Sequence, residues 1–533
     1  MTGVFLTVLL AALVALALAA KKLRVPYPIV FVVGGLVLAL IPGVPTVKLA
    51  PETVFLLFLP ALIFGDGWTT DYRAFKRFAQ PIFSLAIGLV IFTATVVAYA
   101  AHWLMGIDLA LGFVLGAILS PTDAVATDAI AEEVGLPRRL ATIVGGESLI
   151  NDASGLVIYK FAVIAVATGA FSLLAATAQF VYVALGGVAF GLAIAWLIAK
   201  LMAAVRASGL SDEVIAVSMS LVTPFALYVP ADALGASGVL AALTGGIYLS
   251  RKSSQIFDAD SRIAAGSVWN LLFFVFNGAA FVLIGLQLRG IVGALHDRPL
   301  ATYVGWAAAI ALVVIAVRFA WVFPVAYGRR RLFPKIRERE GPDPPRSWTV
   351  ILSLAGMRGI VSLAAALALP ERTASGAPFP GRDLILFVTF VVILVTLVGE
   401  GLLLPVLIRR LGVRELDGED GVRFVALAKV RTAEAARAHL RSLEPDFATT
   451  VEWEVAGRIH ADYEQRATHY GAHLDGTDRD GDERQHEVER RLRREAYAAE
   501  RRALAALRRS GEISDEAYRH LEWDIDLAES RLS

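Results

Sequence analysis

The chain has 533 residues, is 56% hydrophobic, and carries a mean hydropathy of +0.62, more apolar material than a soluble protein of this length can cover with polar surface. It has no cysteine, which excludes disulfides, thiolate metal sites and iron–sulfur clusters; its 8 histidines form no HExxH pattern, and no GxxxxGK[ST] phosphate loop is present. The net charge of +1 is uninformative as a total, so the distribution of charge has to be followed along the chain.

Apolar blocks of roughly 18 to 30 residues, each able to cross a hydrocarbon core about 30 Å thick, predict an all-α polytopic membrane protein. Spans are expected at about 2–20, 27–42, 52–66, 79–103, 108–131, 140–168, 171–204, 211–230, 236–250, 267–288, 301–327, 347–369 and 383–408. The first is a retained span rather than a signal peptide, because its basic "KKLR" follows the apolar run instead of preceding it. About thirteen spans place the two termini on opposite sides. Alternate joints hold Lys21, Lys22 and Arg24; Arg73, Lys76 and Arg77; Arg138 and Arg139; Lys200 and Arg206; Arg251 and Lys252; and "GRRRLFPKIRERE". The intervening joints carry only scattered charges such as Lys48, Arg298 and Arg372. The basic face is therefore expected to be cytoplasmic, with the N-terminus outside and the C-terminal tail inside.

From about Leu411 the composition turns polar, so residues 1–410 are expected to form the membrane domain and 411–533 a helical cytoplasmic domain. Val488, Leu492, Ala496, Ala499, Ala503 and Leu507 recur at three- and four-residue steps, one apolar stripe on a polar helix. Ser514 is placed to cap a further helix, with Asp515 and Glu516 in its first turn. "DRDGDE" has its glycine in the wrong place for an EF-hand and is expected to be a solvated loop.

Inside the spans lie Asp66, Asp123, Asp128, Glu147, Asp152, Lys160, Arg318 and Arg358. A charge at mid-bilayer costs roughly 2.5–3.5 kcal/mol on insertion scales, so each marks a functional or paired position. Two spans also look broken: "LSPTDAVATD" by Pro121, and "LAGMRGIVS" by Gly356 and Gly359 around Arg358. Irregular backbone at membrane depth is tolerated where it is buried in protein or lines a cavity, and a pair of interrupted helices points to a transporter's binding site. In "GGESLINDASGLVIYK" a helical spacing puts Ser148 and Asp152 on one face and Glu147 and Asn151 on a neighbouring one. A hydroxyl, an amide and a carboxylate then converge at one depth. Such oxygen donors suit a hard cation such as Na⁺, with Asp152 as charged ligand, Asn151 fixing its rotamer and Ser148 adding an oxygen. Asp152 and Lys160 lie about 12 Å apart along one helix, too far for a direct pair. Arg318 is expected to neutralise a buried acid or a helix end, Lys160 to snorkel outward, and "GVAFG" (Gly187–Gly191) to be a close-packing motif.

Six segments, "LPALIFGDGW", "SPTDAVA", "GESLINDASGLVIYKFAV", "FVLIGLQL", "VRFAWVFP" and "GMRGIVSLAAAL", together resemble the monovalent cation/proton antiporter 1 family, the bacterial Na⁺/H⁺ exchangers, across nearly the whole membrane part. The resemblance implies an NhaA/NhaP-like antiporter fold with inverted repeats, two broken crossing helices and a dimerisation domain, hence a homodimer in the plasma membrane. It implies that Asp152 carries cation and proton in alternation with Asn151 as partner, and that Ser148 and the backbone at Thr122 ligate the ion. Glu147 would pair with Arg358 across two helices, and Asp123 would offset the half-helix dipoles. Some relatives carry glutamate directly after the phenylalanine of "LPxxxF", where this chain has Gly65; its acid, Asp66, comes one residue later, rotated by about 100°. Asp66, Arg318 and Lys160 are further candidates. With Asn151 in place of a second acid, electroneutral exchange is expected. The cargo is Na⁺ or, alternatively, K⁺. A cation channel would need a filter loop and an intramembrane aspartyl protease a GxGD motif, and neither pattern is present. No cofactor and no nucleic-acid partner are implied.

Overall fold

The computed structural model describes residues 2–42, 54–123, 125–127, 129, 135–169, 173–210, 212–295, 298–328, 343–373, 376–413, 418–446, 449–475, 479–510 and 514–530. Lys48, Asp128 and most of the basic run "GRRRLFPKIRERE" lie outside them. Among the described residues the secondary structure is helical apart from one isolated bridge between Arg372 and Pro378. The chain divides into two compact units, Met1–Glu415 and Leu416–Ser533.

The first unit runs α1 (Thr2–Leu23), α2 (Tyr27–Leu40), α3 (Leu56–Thr69), α4 (Ala79–Met105), α5 (Leu109–Leu119), α6 (Arg138–Thr168), α7 (Leu173–Ala207), α8 (Glu213–Ala233), α9 (Gly238–Ile256), α10 (Ala259–Leu286), α11 (Leu300–Phe323), α12 (Arg346–Leu354), α13 (Ile360–Leu367) and α14 (Arg382–Arg410). Local chemistry sets the ends. Asp108, Asp212, Ser237 and Asp258 each accept a first-turn backbone N–H with their side chains, and Gly106 and Gly169 close α4 and α6 in the left-handed conformation. The Asp258 cap, whose Oδ1 accepts from the Ser261 N–H at 2.8 Å, starts α10 eight residues before the expected position 267.

Among the described residues, seven helices are long and apolar enough to cross a membrane, and α2, α3 and α5 are shorter apolar helices. This is a multi-pass membrane protein. The seven long helices match seven of the thirteen expected spans; of the other six, 108–131 and 347–369 are each interrupted midway.

α6 lies between two apolar clusters. Leu140, Val144, Tyr159 and Ala162 join a large core with residues of α1, α2, α5, α10, α11 and α14. Leu149, Ile150 and Ala153 join a second core with Leu59 and Ile63 of α3, Leu227 of α8 and Leu243 of α9. In lipid, helices associate through close packing rather than hydrophobic burial, and the α7–α9 contact shows how. A Cβ on Gly187 would lie 2.5 Å from the Ser237 carbonyl oxygen, and one on Gly191 2.5 Å from that of Ala241.

The second unit contains α15 (Gly418–Leu443), α16 (Thr450–Asp475), α17 (Arg479–Ser510) and α18 (Asp515–Ser530). Arg437 pairs with Glu464 at 3.0 Å between α15 and α16, and Arg501 of α17 pairs with Asp526 and Glu529 of α18. The Ser514 hydroxyl accepts the Ala517 N–H at 3.1 Å, the expected cap. The acidic run begins α17 at Arg479 instead of forming a loop, consistent with the preference of acids for a helix N-terminus.

Candidate functional site

Two helix breaks meet at the centre of the first unit. α5 ends at Leu119, Pro121 interrupts the chain, and Val125 is again helical; α12 ends at Leu354 and α13 begins at Ile360. The two extended segments are tied by the Asp123 N–H, which donates to the Met357 carbonyl at 2.7 Å. Gly359 is required here: a Cβ would sit 1.5 Å from Asp123 Oδ2. Asp123 therefore lies at the N-terminal ends of both resumed helices. Its Oδ1 accepts the Val125 N–H at 2.9 Å, and the Ala126 and Ile360 N–H groups face the same carboxyl. This is where the dipoles of two half-helices favour negative charge.

The arginines serve the opposite ends. Arg358 Nε donates to the carbonyl of Leu119, the last residue of α5, at 3.0 Å, and its Nη1 donates to the Gly356 carbonyl. Arg318, from α11, donates to the carbonyls of Leu352 and Ala355 at the end of α12 at 3.1 and 3.3 Å. Cations at helix C-termini satisfy carbonyls that have no intrahelical partner.

The structure corrects the expected ion pair. Glu147 is held by Arg318, not Arg358: both carboxylate oxygens accept from the guanidinium, Oε2 at 2.8 Å. The negative charge nearest in effect to Arg358 is instead Glu400 of α14, a residue that sequence reasoning missed. Arg318, Arg358, Glu147 and Glu400 are 1%, 2%, 1% and 4% exposed, so two acids and two bases balance inside the protein. The only signal for Glu400 in the sequence is an acid inside the last apolar span.

Ser148, Asn151 and Thr122 form a chain of hydrogen bonds from α6 to the first break. The Asn151 Nδ2 donates to Thr122 Oγ1 at 2.7 Å, and Thr122 Oγ1 lies 3.1 Å from Ser148 Oγ. The Asn151 amide is thus spent on Thr122 rather than on the rotamer of Asp152. Three buried oxygens beside this chain have no hydrogen-bond partner: Asp152 Oδ1, Asn151 Oδ1 and Asp123 Oδ2. Buried acceptors left unsatisfied are costly and call for an occupant.

Asp66, Thr122, Asp123, Ser148, Asp152 and Gly359 line a cavity of about 40 Å³, above the about 10–15 Å³ that one water-sized occupant needs. A second cavity, of about 240 Å³, shares Asp66 and Leu149 with the first and runs past Thr70, Asp71 and Thr142 toward the basic joints. A third, of about 1080 Å³, lies at the other end of α6 beside Lys160, Asp232, Glu371 and Arg382, and shares no lining residue with the first. Lys160 is exposed and pairs with Asp232 at 3.7 Å, away from Asp152. Asp66 belongs to the small cavity although it stands one residue past the family's position. Gly65 itself faces the Phe273 ring, which a Cβ would overlap at 1.9 Å.

Residues 8–410 match the family model described as sodium/hydrogen exchanger, transmembrane. The chain is 33% identical to an uncharacterized Na⁺/H⁺ exchanger, YjcE, of Escherichia coli (strain K12), over 96% of this chain and 94% of that one. It is 36% identical to a sodium, potassium, lithium and rubidium/H⁺ antiporter of Bacillus subtilis, over 72% of this chain and 58% of that one. The fold is similar to that of the sodium proton antiporter MjNhaP1 from Methanocaldococcus jannaschii, with a TM-score of 0.60 at 21% identity, covering 77% of this chain and 98% of that one. A helical membrane unit with two broken helices crossing at a buried acid, matched by the family along most of its length, leaves one conclusion: the chain belongs to the sodium/hydrogen exchanger family and is a transporter, a monovalent cation/proton antiporter, not an enzyme.

Proposed function

We propose that the chain exchanges one Na⁺ for one H⁺ across the plasma membrane, electroneutrally, with Asp152 holding either ion and never both. The observation that carries this reading is the unpartnered Oδ1 of Asp152 on the wall of a small buried cavity. Ser148 and Thr122 add oxygens, and Asp123 keeps the crossing charge-balanced. A cation or a proton cancels the carboxylate charge, so the occupied site can move past the apolar barrier, whereas the empty site is held back by the cost of burying a bare charge. Asn151 is neutral, which leaves one titrating acid per cycle.

With the basic joints cytoplasmic, the N-terminus lies outside, residues 411–533 form a cytoplasmic domain attached to the exchanger domain 1–410, and the 240 Å³ cavity supports an inward-facing conformation. Asp66 then stands where an incoming cation first meets the site. A homodimer, through the part of the unit that does not move, completes the assembly. The donors are all hard oxygens, which fit K⁺ as well as Na⁺, and the name of the Bacillus relative includes both.

The test is proton flux in everted vesicles with Li⁺, Na⁺ and K⁺ supplied separately. Asp152→Asn abolishes exchange, and in the wild type the apparent Na⁺ affinity falls about tenfold per pH unit below the pKa of the carboxylate and is constant above it. A pH-independent affinity, or flux retained by the variant, contradicts competition at Asp152.

A further inference from the structure

On the far side of α6 from the cation site lies a cavity of about 760 Å³ bounded by α4, α6, α7 and α9. Ile150 and Val157 of α6, Ala184 and Val188 of α7, and Leu243 and Ile247 of α9 give it apolar walls. Exposed Phe83 on α4 and Leu185 and Leu192 on α7 flank it, an apolar rim that faces lipid at membrane depth, while Ala153, Val157, Val183 and Ser237 are shared with the 1080 Å³ cavity. Among the described residues no Asp or Glu lines it, and its only charged lining residues are Arg251 and Lys252, consecutive near the C-terminal end of α9. The Arg251 guanidinium lies over the Tyr72 ring, 4.5 Å from its centroid. Among the described ion pairs, neither cation has a carboxylate partner.

An apolar cleft with two cations at one end, neither paired with a carboxylate among the described ion pairs, and no acid among its described lining residues, is complementary to one class of molecule. We propose that the cleft binds an anionic phospholipid, with an acyl chain between α6, α7 and α9 and the phosphate head group on Arg251 and Lys252. A free phosphate ion matches the cations but leaves the apolar walls uncovered, so the lipid is the occupant. Because α6 carries Asp152 and faces the cleft with Ile150, Ala153 and Val157, the lipid bridges the carrier helix and its neighbours and modulates turnover. The inference rests on membrane insertion and on the cleft, not on the role proposed for Asp152.

The experiment uses full-length protein, delipidated in detergent and mixed with phosphatidylglycerol or phosphatidylcholine, with retained lipid counted by native mass spectrometry. Wild type retains phosphatidylglycerol, and R251Q/K252Q retains it about 10- to 30-fold more weakly, as expected from removing two phosphate-facing cations. Exchange by R251Q/K252Q in pure phosphatidylcholine vesicles equals that of wild type, which establishes folding, but it no longer responds to added phosphatidylglycerol. Ala184→Trp, which fills the cleft while keeping both cations, also loses the lipid. Equal retention by wild type and either variant overturns the proposal. So does an equal loss in R73Q/K76Q, on the same basic face outside the cleft, because that result assigns the effect to surface charge. Displacement by inorganic phosphate alone overturns the choice of lipid.

Discussion

Glu147 and Asp152 lie five residues apart on one helix, the first buried and the second half-buried, and have opposite fates. Both oxygens of Glu147 accept from Arg318, so its charge is already paired. Asp152 keeps an oxygen free. The difference predicts different phenotypes. Glu147→Gln leaves Arg318 buried without its counter-charge, which costs about 3–5 kcal/mol for a broken buried pair; it lowers the unfolding temperature in detergent and the yield of folded protein, whereas Asp152→Asn lowers neither. Glu400 and Arg358 are coupled in the same sense. Glu400→Gln impairs folding or exchange by itself, and addition of Arg358→Gln recovers part of the folded yield. Strictly additive losses in thermal melts of the two single variants and the double variant would show that Glu400 does not offset Arg358.

At the level of elements, the crossing works because every exposed helix end has a charge of the right sign. Asp123 faces the N-terminal ends of the two resumed helices, Arg358 the C-terminal end of α5, and Arg318 that of α12. The breaks cost hydrogen bonds, and these side chains supply replacements. The arrangement needs the two segments within one hydrogen bond of each other, which only glycine at 359 permits. Gly359→Ala pushes Asp123 away from the Ile360 N–H and separates the breaks; exchange in vesicles falls at least tenfold while the helices outside the crossing remain folded by circular dichroism. Normal exchange in that variant would mean that the close approach is not needed.

At the level of the whole molecule, α6 is placed between two apolar cores, with the cation site connected toward one end of the unit and separated from the large cavity at the other. The proposed single titrating carboxylate per cycle predicts no net charge movement. In proteoliposomes with the membrane potential clamped by a K⁺ ionophore, Na⁺-driven proton flux is unchanged by an imposed potential. A rate that follows the potential would require a second titrating group.

The sequence by itself determined the class of protein, its apolar helical segments and the two breaks, and it singled out Asp152, which lines the buried cavity. These depend on local quantities: the hydropathy of consecutive residues, the missing N–H of Pro121, the glycines around Arg358, and the four-residue spacing of Ser148 and Asp152. Only the tertiary structure decided which charges meet. Arg318 and Arg358 are both long cations on apolar segments, and nothing in their neighbours says which one reaches Glu147. That depends on the depth and rotation of α11 against α6, set by packing between residues 171 positions apart. The same holds for Asn151, whose amide bonds Thr122 rather than its neighbour Asp152, and for Glu400, which is buried only because α14 packs against the second break. Helix formation and membrane insertion are governed by near neighbours along the chain, whereas the pairing of buried charges is governed by distance in space.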